Sequence, residues 1–369
     1  MRLGVPKEIY AGERRVAATP ESVKKLRAMG LDVVIERTAG TGSGYTDEAY
    51  EAVGATMADA ETVWGESDVV IKVRPPSHPE VAKIKDGAML VSLLQPERDD
   101  ALPALLAARR VSAIALERVP RVTRAQKMDV LSSMANLAGY RAVLEAAHHY
   151  QGFFGPQVTA AGTMPPARVL VIGAGVAGLA AVAAAKALGA EVRAFDTRKA
   201  TKEQIESLGA TFLTVEIEED GEGGGGYAKE MSPAFIEAEM ALFRKQASEV
   251  DVIVTTALVP GKKAPVLVKE EAVAKMKRGS VIVDLAAEQG GNCELCVPGE
   301  IVERHGVTIV GVTDLASRMG ASASRLFANN VVHLLAEIVD GAKLYVDLED
   351  DVIRPALVTH AGEVLPRPA

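Results

Sequence analysis

Gly173, Gly175 and Gly178 stand in the order G-x-G-x-x-G inside VIGAGVAGLAAVAAAKALGAEVRAFD, residues 171–196. They follow the apolar run RVLVI and open the helical pattern VAGLAAVAAAKALG, with Val176 at its head. In such a turn the first glycine permits a tight reversal. The second lets backbone amides approach a pyrophosphate, and the third lets helix and strand pack closely. The helix N-terminus adds partial positive charge. The next apolar run, EVRAF, leads into Asp196, Thr197 and Arg198. A carboxylate there, about 20 residues on, would accept hydrogen bonds from an adenosine ribose and repel a 2′-phosphate. The stretch therefore reads as a site for NAD(H), with Arg198 as a counterweight to that preference.

A bound nicotinamide implies hydride transfer, and oxidation of an alcohol or amine requires a base. The six histidines are poorly placed for that role. His78 lies in the proline-bound stretch PPSHPE, and His148 and His149 come late in a long helical pattern. His305, His333 and His360 read as structural or solvated. Lys72, in VVIKVRPP, could serve as a base or simply end a strand. The polar stretch PRVTRAQKMDVLSS, 120–133, offers a different chemistry. Arg121, Gln126, Asp129 and Ser132 are donors and acceptors suited to orienting a carboxamide and ribose, and equally to capping a helix. They do not suit proton abstraction.

The elements that must hold these groups follow from periodicity. RLGVPKE, DVVIER, SDVVIKV, AMLVSLL and VSAIALE read as short strands, with helical patterns such as PESVKKLRAMG between them. Alternation of this kind implies parallel βαβ units. A helix over 132–153, capped by Ser132 or Ser133, leads through the loop GPQVTAAGTMPPA into a second set. That set comprises RVLVIG, AEVRAFD, ATFLTV, VDVIVTTA, SVIVDLA and VTIVGV. A second long helix, 325–339, returns the chain to the first domain. The expected fold class is α/β: two Rossmann-like, doubly wound parallel-sheet domains joined by two long helices, with a cleft between them. The expected boundaries are 1–131 with 330–369, and 132–329. The glycine-rich stretch EDGEGGGGYAKEMS, 219–232, is either a surface loop or a lid.

Composition agrees with this reading. The 369 residues are 48% apolar and 24% charged, enough for two cores, with aromatics at only 4%. A net charge of −8 argues against a nucleic-acid partner. Cys293 and Cys296 form one C-x-x-C pair, and a zinc site would need two further ligands. Two reduced thiols and no metal are expected. No stretch has the roughly 20 continuous apolar residues of a membrane span, and the start RLGVPKE lacks a secretion signal. A soluble, cytoplasmic protein is expected.

Several stretches together resemble the NAD(H)-binding domain of proton-translocating nicotinamide nucleotide transhydrogenase. They are RVTRAQKMDVLSSMANLAGYRAV, MPPARVLVIGAGVAGL, AFDTRKATKEQIESLGA, GGYAKEMS, TTALVPGKKAPVLV and GSVIVDLAAEQGGNCEL. The fold is shared with alanine dehydrogenase, the rival reading. This chain keeps Arg15 and Lys72, which bind the substrate carboxylate in that family. It carries Gln95 where alanine dehydrogenases have the catalytic histidine, and Glu288 in place of their active-site aspartate. The resemblance implies direct hydride transfer between C4 atoms of two nicotinamides, the second belonging to NADP(H) on a separate subunit. No O–H or N–H bond breaks, so placement replaces a base. It also implies that Gln126 lies nearest the transfer site, that Arg121, Asp129 and Ser132 contact the nicotinamide half, and that Asp196, Thr197 and Arg198 take the adenosine ribose. Gly226 and Tyr227 would belong to a mobile loop over the nucleotide, and Leu258 to the pocket wall. A homodimer, an NADP(H)-binding beta subunit and membrane-spanning subunits that couple transfer to proton movement are implied as partners. The chain would then be peripheral on the inner face of the cytoplasmic membrane, as a separate subunit or a fragment of a longer one. Ala316 stands where the family commonly has proline, which puts the stiffness of that turn in question.

Overall fold

The computed structural model describes residues 1–367 except 218, 224–228, 230, 259–262, 314 and 342. The strands in chain order are β1 (Arg2–Val5), β2 (Asp32–Glu36), β3 (Thr56–Ala58), β4 (Val69–Ile71), β5 (Met89–Ser92), β6 (Ser112–Ala115), β7 (Gln157–Thr159) and β8 (Gly162–Met164). Then come β9 (Arg168–Ile172), β10 (Glu191–Phe195), β11 (Thr211–Leu213), β12 (Val252–Thr255), β13 (Val281–Asp284), β14 (Ile301–Arg304) and β15 (Val307–Val310). The last are β16 (Val339–Asp340), β17 (Lys343–Leu344), β18 (Leu357–His360) and β19 (Glu363–Val364).

The chain divides into two compact units, residues 1–134 with 317–369 and residues 135–316. The cuts drawn from the sequence lay at 131 and 329; the structural division assigns the whole helix Gly320–Ile338 to the first unit. In the first unit the sheet order is β19-β18-β6-β5-β4-β1-β2-β3. Strands β1 to β6 are parallel and doubly wound, and the order reverses between β1 and β4. In the second unit the order is β11-β10-β9-β12-β13-β15-β14, reversing between β9 and β12.

The parallel strands are continuous apolar runs because both their faces are covered. In the second unit the two faces carry separate cores. Val169, Val171, Val252, Val254, Val281 and Val283 point into one. Leu170, Ile172, Ile253 and Ile282 point into the other, with Phe235 and Phe243 of the helix Pro233–Ala247. The strand period of two thus distributes one run between two cores.

The α/β class with two doubly wound, parallel-dominated sheets is as expected, and three features refine its details. Neither sheet is wholly parallel: β18 pairs antiparallel with β6, β19 with β18, and β14 with β15. These strands sit at sheet edges, where a short return needs no crossover helix. The stretch expected as a loop, GPQVTAAGTMPPA, contains the antiparallel hairpin β7–β8. All six of its strand residues are exposed, so no alternation of apolar and polar residues announces it. The long helix is Val130–His149 and begins before Ser132. Asp129 caps it: Ser132 N donates to Asp129 Oδ1 at 2.8 Å and Ser132 Oγ to Oδ2 at 2.5 Å.

With few aromatics, the second unit packs by close backbone approach. Gly139 of the helix Val130–His149 lies against the helix Val176–Ala187, and a Cβ at Gly139 would come within 1.9 Å of the Ala177 carbonyl oxygen. No flexible side chain is there to yield. Gly139→Ala is therefore expected to destabilise the protein by about 1–3 kcal/mol, the usual cost of overpacking. Thermal or urea unfolding measures this, and an unchanged midpoint would contradict the contact.

Candidate functional site

The carboxyl ends of parallel strands at a reversal of strand order form a natural ligand crevice. In the second unit that place lies between β9 and β12. The glycine turn follows β9, and its three glycines divide the work by geometry. Gly173 has φ +97°, a conformation that side chains rarely adopt. A Cβ at Gly178 would lie 1.8 Å from the Gly173 carbonyl oxygen, so helix and strand meet there only without a side chain. A Cβ at Gly175 would meet no atom within 4 Å. Gly175 is the N-cap of the helix Val176–Ala187 and supplies no side-chain cap, so first-turn amides face outward beside the half-exposed Val176. Such amides suit an anionic pyrophosphate.

Asp196 follows β10, and its carboxylate is heavily engaged. Oδ2 accepts from the Ala174 amide at 2.7 Å and from Arg198 Nη2 at 2.8 Å. Oδ1 accepts from the Arg198 amide and from Arg198 Nε, each at 2.9 Å. The sequence assigned this carboxylate to a ribose; it also ties the glycine turn to the neighbouring strand. The carboxylate in turn holds the Arg198 guanidinium above its usual range. Thr197 accepts the Gly221 amide on its carbonyl at 3.0 Å.

Across the crevice, Thr256 Oγ1 donates at 3.2 Å to the carbonyls of Ile172 and Gly173, between the ends of β12 and β9. Leu258, two residues on, is 38% exposed. Asn292 grips the same segment: its Oδ1 accepts from Ala257 N at 3.0 Å, and its Nδ2 donates to Ala257 O at 2.9 Å and Pro265 O at 2.8 Å. No motif in the sequence marks Thr256 or Asn292. Their only sequence signal is position, one just past a strand and the other in a glycine-rich turn. Gly226 and Tyr227 lie outside the described residues.

The polar stretch 120–133 belongs to the first unit. Gln126 is exposed on the 3-10 helix Thr123–Met128, whose Ala125 and Met128 are buried. Arg121 is exposed, and Asp129 and Ser132 are half-buried and bonded to one another. The structure thus gives Asp129 and Ser132 the capping role that the sequence left open for them.

The first unit has its own strand reversal, between β1 and β4, and charged residues that pair with one another gather at it. Lys72, fully buried, donates to Glu8 Oε2 at 2.6 Å and lies 3.5 Å from Glu80. Burial pushes the Glu8 carboxyl up despite that partner. Arg15 makes a forked pair with Glu13 at 2.7 and 2.6 Å, and Arg74 Nε joins it at 2.9 Å. Burial opposes the Glu13 charge, yet these two guanidiniums hold its pKa down at about 2. Gln95 has φ +48°, and its amide donates to Glu117 Oε1 at 2.5 Å. The turn holding Ala316 is a 3-10 helix, Leu315–Met319, and is stiffened without proline. The Ser317 hydroxyl donates to Gly12 O at 3.0 Å and accepts from Arg14 N at 2.8 Å.

The histidines hold ordinary posts. His78 begins the helix His78–Lys83, not a loop, and lies 2.9 Å from Asp99. His305 meets Glu270 at 2.8 Å, and His360 meets Ser112 Oγ at 3.0 Å. Burial pushes both Cys293 and Cys296 up to about 12, with Asp284 beside them, so these are protonated thiols of low reactivity. No helix among the described residues is long and apolar enough to cross a membrane.

Residues 4–138 match the alanine dehydrogenase/PNT N-terminal domain, and residues 142–367 the alanine dehydrogenase/PNT C-terminal domain. The NAD(P) transhydrogenase subunit alpha of Cereibacter sphaeroides is 50% identical over 99% of this chain and 71% of its own length. The alanine dehydrogenase of Mycolicibacterium smegmatis is 31% identical over 99% of this chain and 95% of its own. Among solved structures, the transhydrogenase from Sinorhizobium meliloti superposes with a TM-score of 0.88 at 41% identity, covering 99% of each chain.

A buried carboxyl near the crevice carries a testable consequence. Glu239 sits between Phe235 and Phe243 on the buried stripe of its helix, at four-residue spacing. Phe243 packs edge-on against Phe195, which precedes Asp196, at 5.1 Å between centroids. Burial, then the Asp196 charge, pushes Glu239 up to about 7 from an ordinary 4.5. A raised folded-state pKa means that the folded protein holds this proton more tightly. The contribution is complete below about pH 4.5 and is lost as pH rises through about 7, by up to roughly 3 kcal/mol. Glu239→Gln is expected to gain stability relative to the wild type between pH 5 and pH 8. A difference in unfolding midpoint that stays constant over that range would refute the assignment.

Proposed function

This chain belongs to the alanine dehydrogenase/PNT family, and on that footing we propose that it is the NAD(H)-binding subunit of an NAD(P) transhydrogenase. The observation that carries the reading is the glycine turn at the β9/β12 reversal, with backbone open at Gly175 and the Asp196 carboxylate beside it. Gly173, Gly175, Val176 and Gly178 receive the pyrophosphate. Asp196, Thr197 and Arg198 receive the adenosine ribose, and Leu258 walls the pocket. Arg121, Gln126, Asp129 and Ser132 are assigned to the nicotinamide half. Bound NADH supplies the hydride at C4 of its ring, and NADP+ on a partner subunit accepts it at the corresponding carbon.

The work left to this chain is orientation. Effective molarities of about 10⁵–10⁸ M come from holding reacting atoms in place. Gln126 is a neutral amide that can hold a carboxamide and cannot take a proton at neutral pH. That suits a step in which one C–H bond breaks and another forms. The rival reading, an amino-acid oxidoreductase, has Arg15 and Lys72 in its favour. It lacks an acid–base group where Gln95 stands, and the alanine dehydrogenase relative is the more distant one. The working assembly is proposed as a homodimer of this chain with an NADP(H)-binding beta subunit and membrane-spanning subunits. These place it on the cytoplasmic face of the membrane and couple transfer to proton translocation.

The test mixes the purified chain, NADH and a thio-NADP acceptor, with and without an NADP(H)-binding transhydrogenase subunit. Transfer is expected only when that subunit is present, and no reduction of NAD by alanine under any condition. Gln126→Asn is expected to slow transfer about tenfold or more while leaving NADH affinity within about twofold. Alanine-dependent NAD reduction by the isolated chain would overturn the proposal.

A further inference from the structure

A 3-10 helix is a poor holder of its own shape, because its hydrogen bonds are badly aligned and its carbonyls run out within a turn. The turn Thr123–Met128 is fastened from outside at three points. Arg124 Nη2 donates to Asp350 Oδ1 at 2.7 Å, to Asp350 Oδ2 at 2.8 Å and to Asp351 Oδ1 at 2.9 Å. Asp129, just past the turn, is held by the helix that it caps. Between them, Asn330 Nδ2 donates to the Lys127 carbonyl at 2.8 Å.

The three fastenings are not equivalent. The Arg124 guanidinium is exposed and Asp350 only partly covered, with Asp351 in solvent, and pairs made by an exposed guanidinium contribute little. Asp129 serves its own helix first. Asn330 is 8% exposed on the helix Gly320–Ile338, whose neighbouring buried positions are Phe327, Val331 and Leu334. Its Oδ1 is buried with no hydrogen-bond partner among the described residues. A half-satisfied amide on an apolar face works against stability, and leucine would serve packing better. What the amide provides is one directed bond, to the carbonyl of the residue next to Gln126.

We propose that Asn330 is a positioning residue for hydride transfer, which by gripping the Lys127 carbonyl sets the pose of Gln126 on the exposed side of the turn. This rests on the transhydrogenase reading. Asn330 touches no reacting atom in this account. It acts through the backbone, and a displacement of about 1 Å at such a site can cost a hundredfold in rate.

The test uses Asn330→Leu, which removes the donor and keeps the volume, and Asn330→Asp, which keeps the shape and turns the donor into an acceptor. Hydride transfer to thio-NADP is measured with the NADP(H)-binding subunit present, alongside NADH affinity, the unfolding midpoint and amide hydrogen exchange across residues 123–129. Both variants are expected to transfer about tenfold to a hundredfold more slowly, with NADH affinity within about twofold. Exchange is expected to quicken in 123–129 and not in the sheet, and combination with Gln126→Asn to be far from additive. Asn330→Leu is expected to unfold no earlier than the wild type, which separates positioning from general support. Unchanged transfer in a folded variant, unchanged exchange in 123–129, or NADH affinity falling in step with rate overturns the inference alone. Absence of transfer by the wild-type chain with its partner overturns the proposed function, and this inference with it.

Discussion

One carboxylate holds the glycine turn in shape. Asp196 gathers the Ala174 amide from the glycine turn and the Arg198 amide and guanidinium from its own strand end, so that β9 and β10 finish in register with their loops locked together. The adjoining parts lean on that lock. Gly173 can keep its left-handed backbone, Gly178 can sit against the Gly173 carbonyl, and the first turn of the helix Val176–Ala187 is left pointing outward. Glu239 is raised mainly by its own burial, and the same carboxylate adds to that rise.

Much of this was legible because it rests on local rules. The strands read from apolar runs are all present, since a strand covered on both faces must be apolar throughout. The glycine turn was legible because its three glycines stand at fixed spacing within six residues, two of them where a side chain would collide. The parts that escaped depend on contacts between segments distant in the chain. Nothing local marks Asn292 as the residue that holds Ala257, or Ser317 as the one that fastens Gly12 to Arg14. The hairpin β7–β8 escaped for the opposite reason: it buries no face, so it leaves no periodic trace. Asp129 reads as a donor–acceptor group, and the cap expected at Ser132 or Ser133 lies three or four residues past the true one. Any of Asp129, Ser132 or Ser133 could cap by type, and only the backbone decides.

The two strand reversals show one topology put to two uses. In the second unit the crevice between β9 and β12 is walled by backbone and small side chains, with glycines where bulk would intrude. In the first unit the corresponding strand ends are lined with internal ion pairs, Glu8 with Lys72 and Glu13 with Arg15 and Arg74. Buried pairs of this kind return little net stability, because desolvation offsets their attraction, yet losing one partner is severe. Their value lies in fixing the loops after β1 and β4 at definite positions, as the Ser317 hydroxyl does for residues 12–14.

Lys72 has one more consequence. Its ammonium is fully enclosed and clamped by two carboxylates, while most other lysines of the chain stand in water. An acylating reagent attacks only the free amine form, so it will decorate the surface lysines and leave this one unlabelled for as long as the first unit stays closed. Lys72 is thereby a built-in reporter: the moment at which it takes up label times the opening of its unit, without any probe being engineered into the chain.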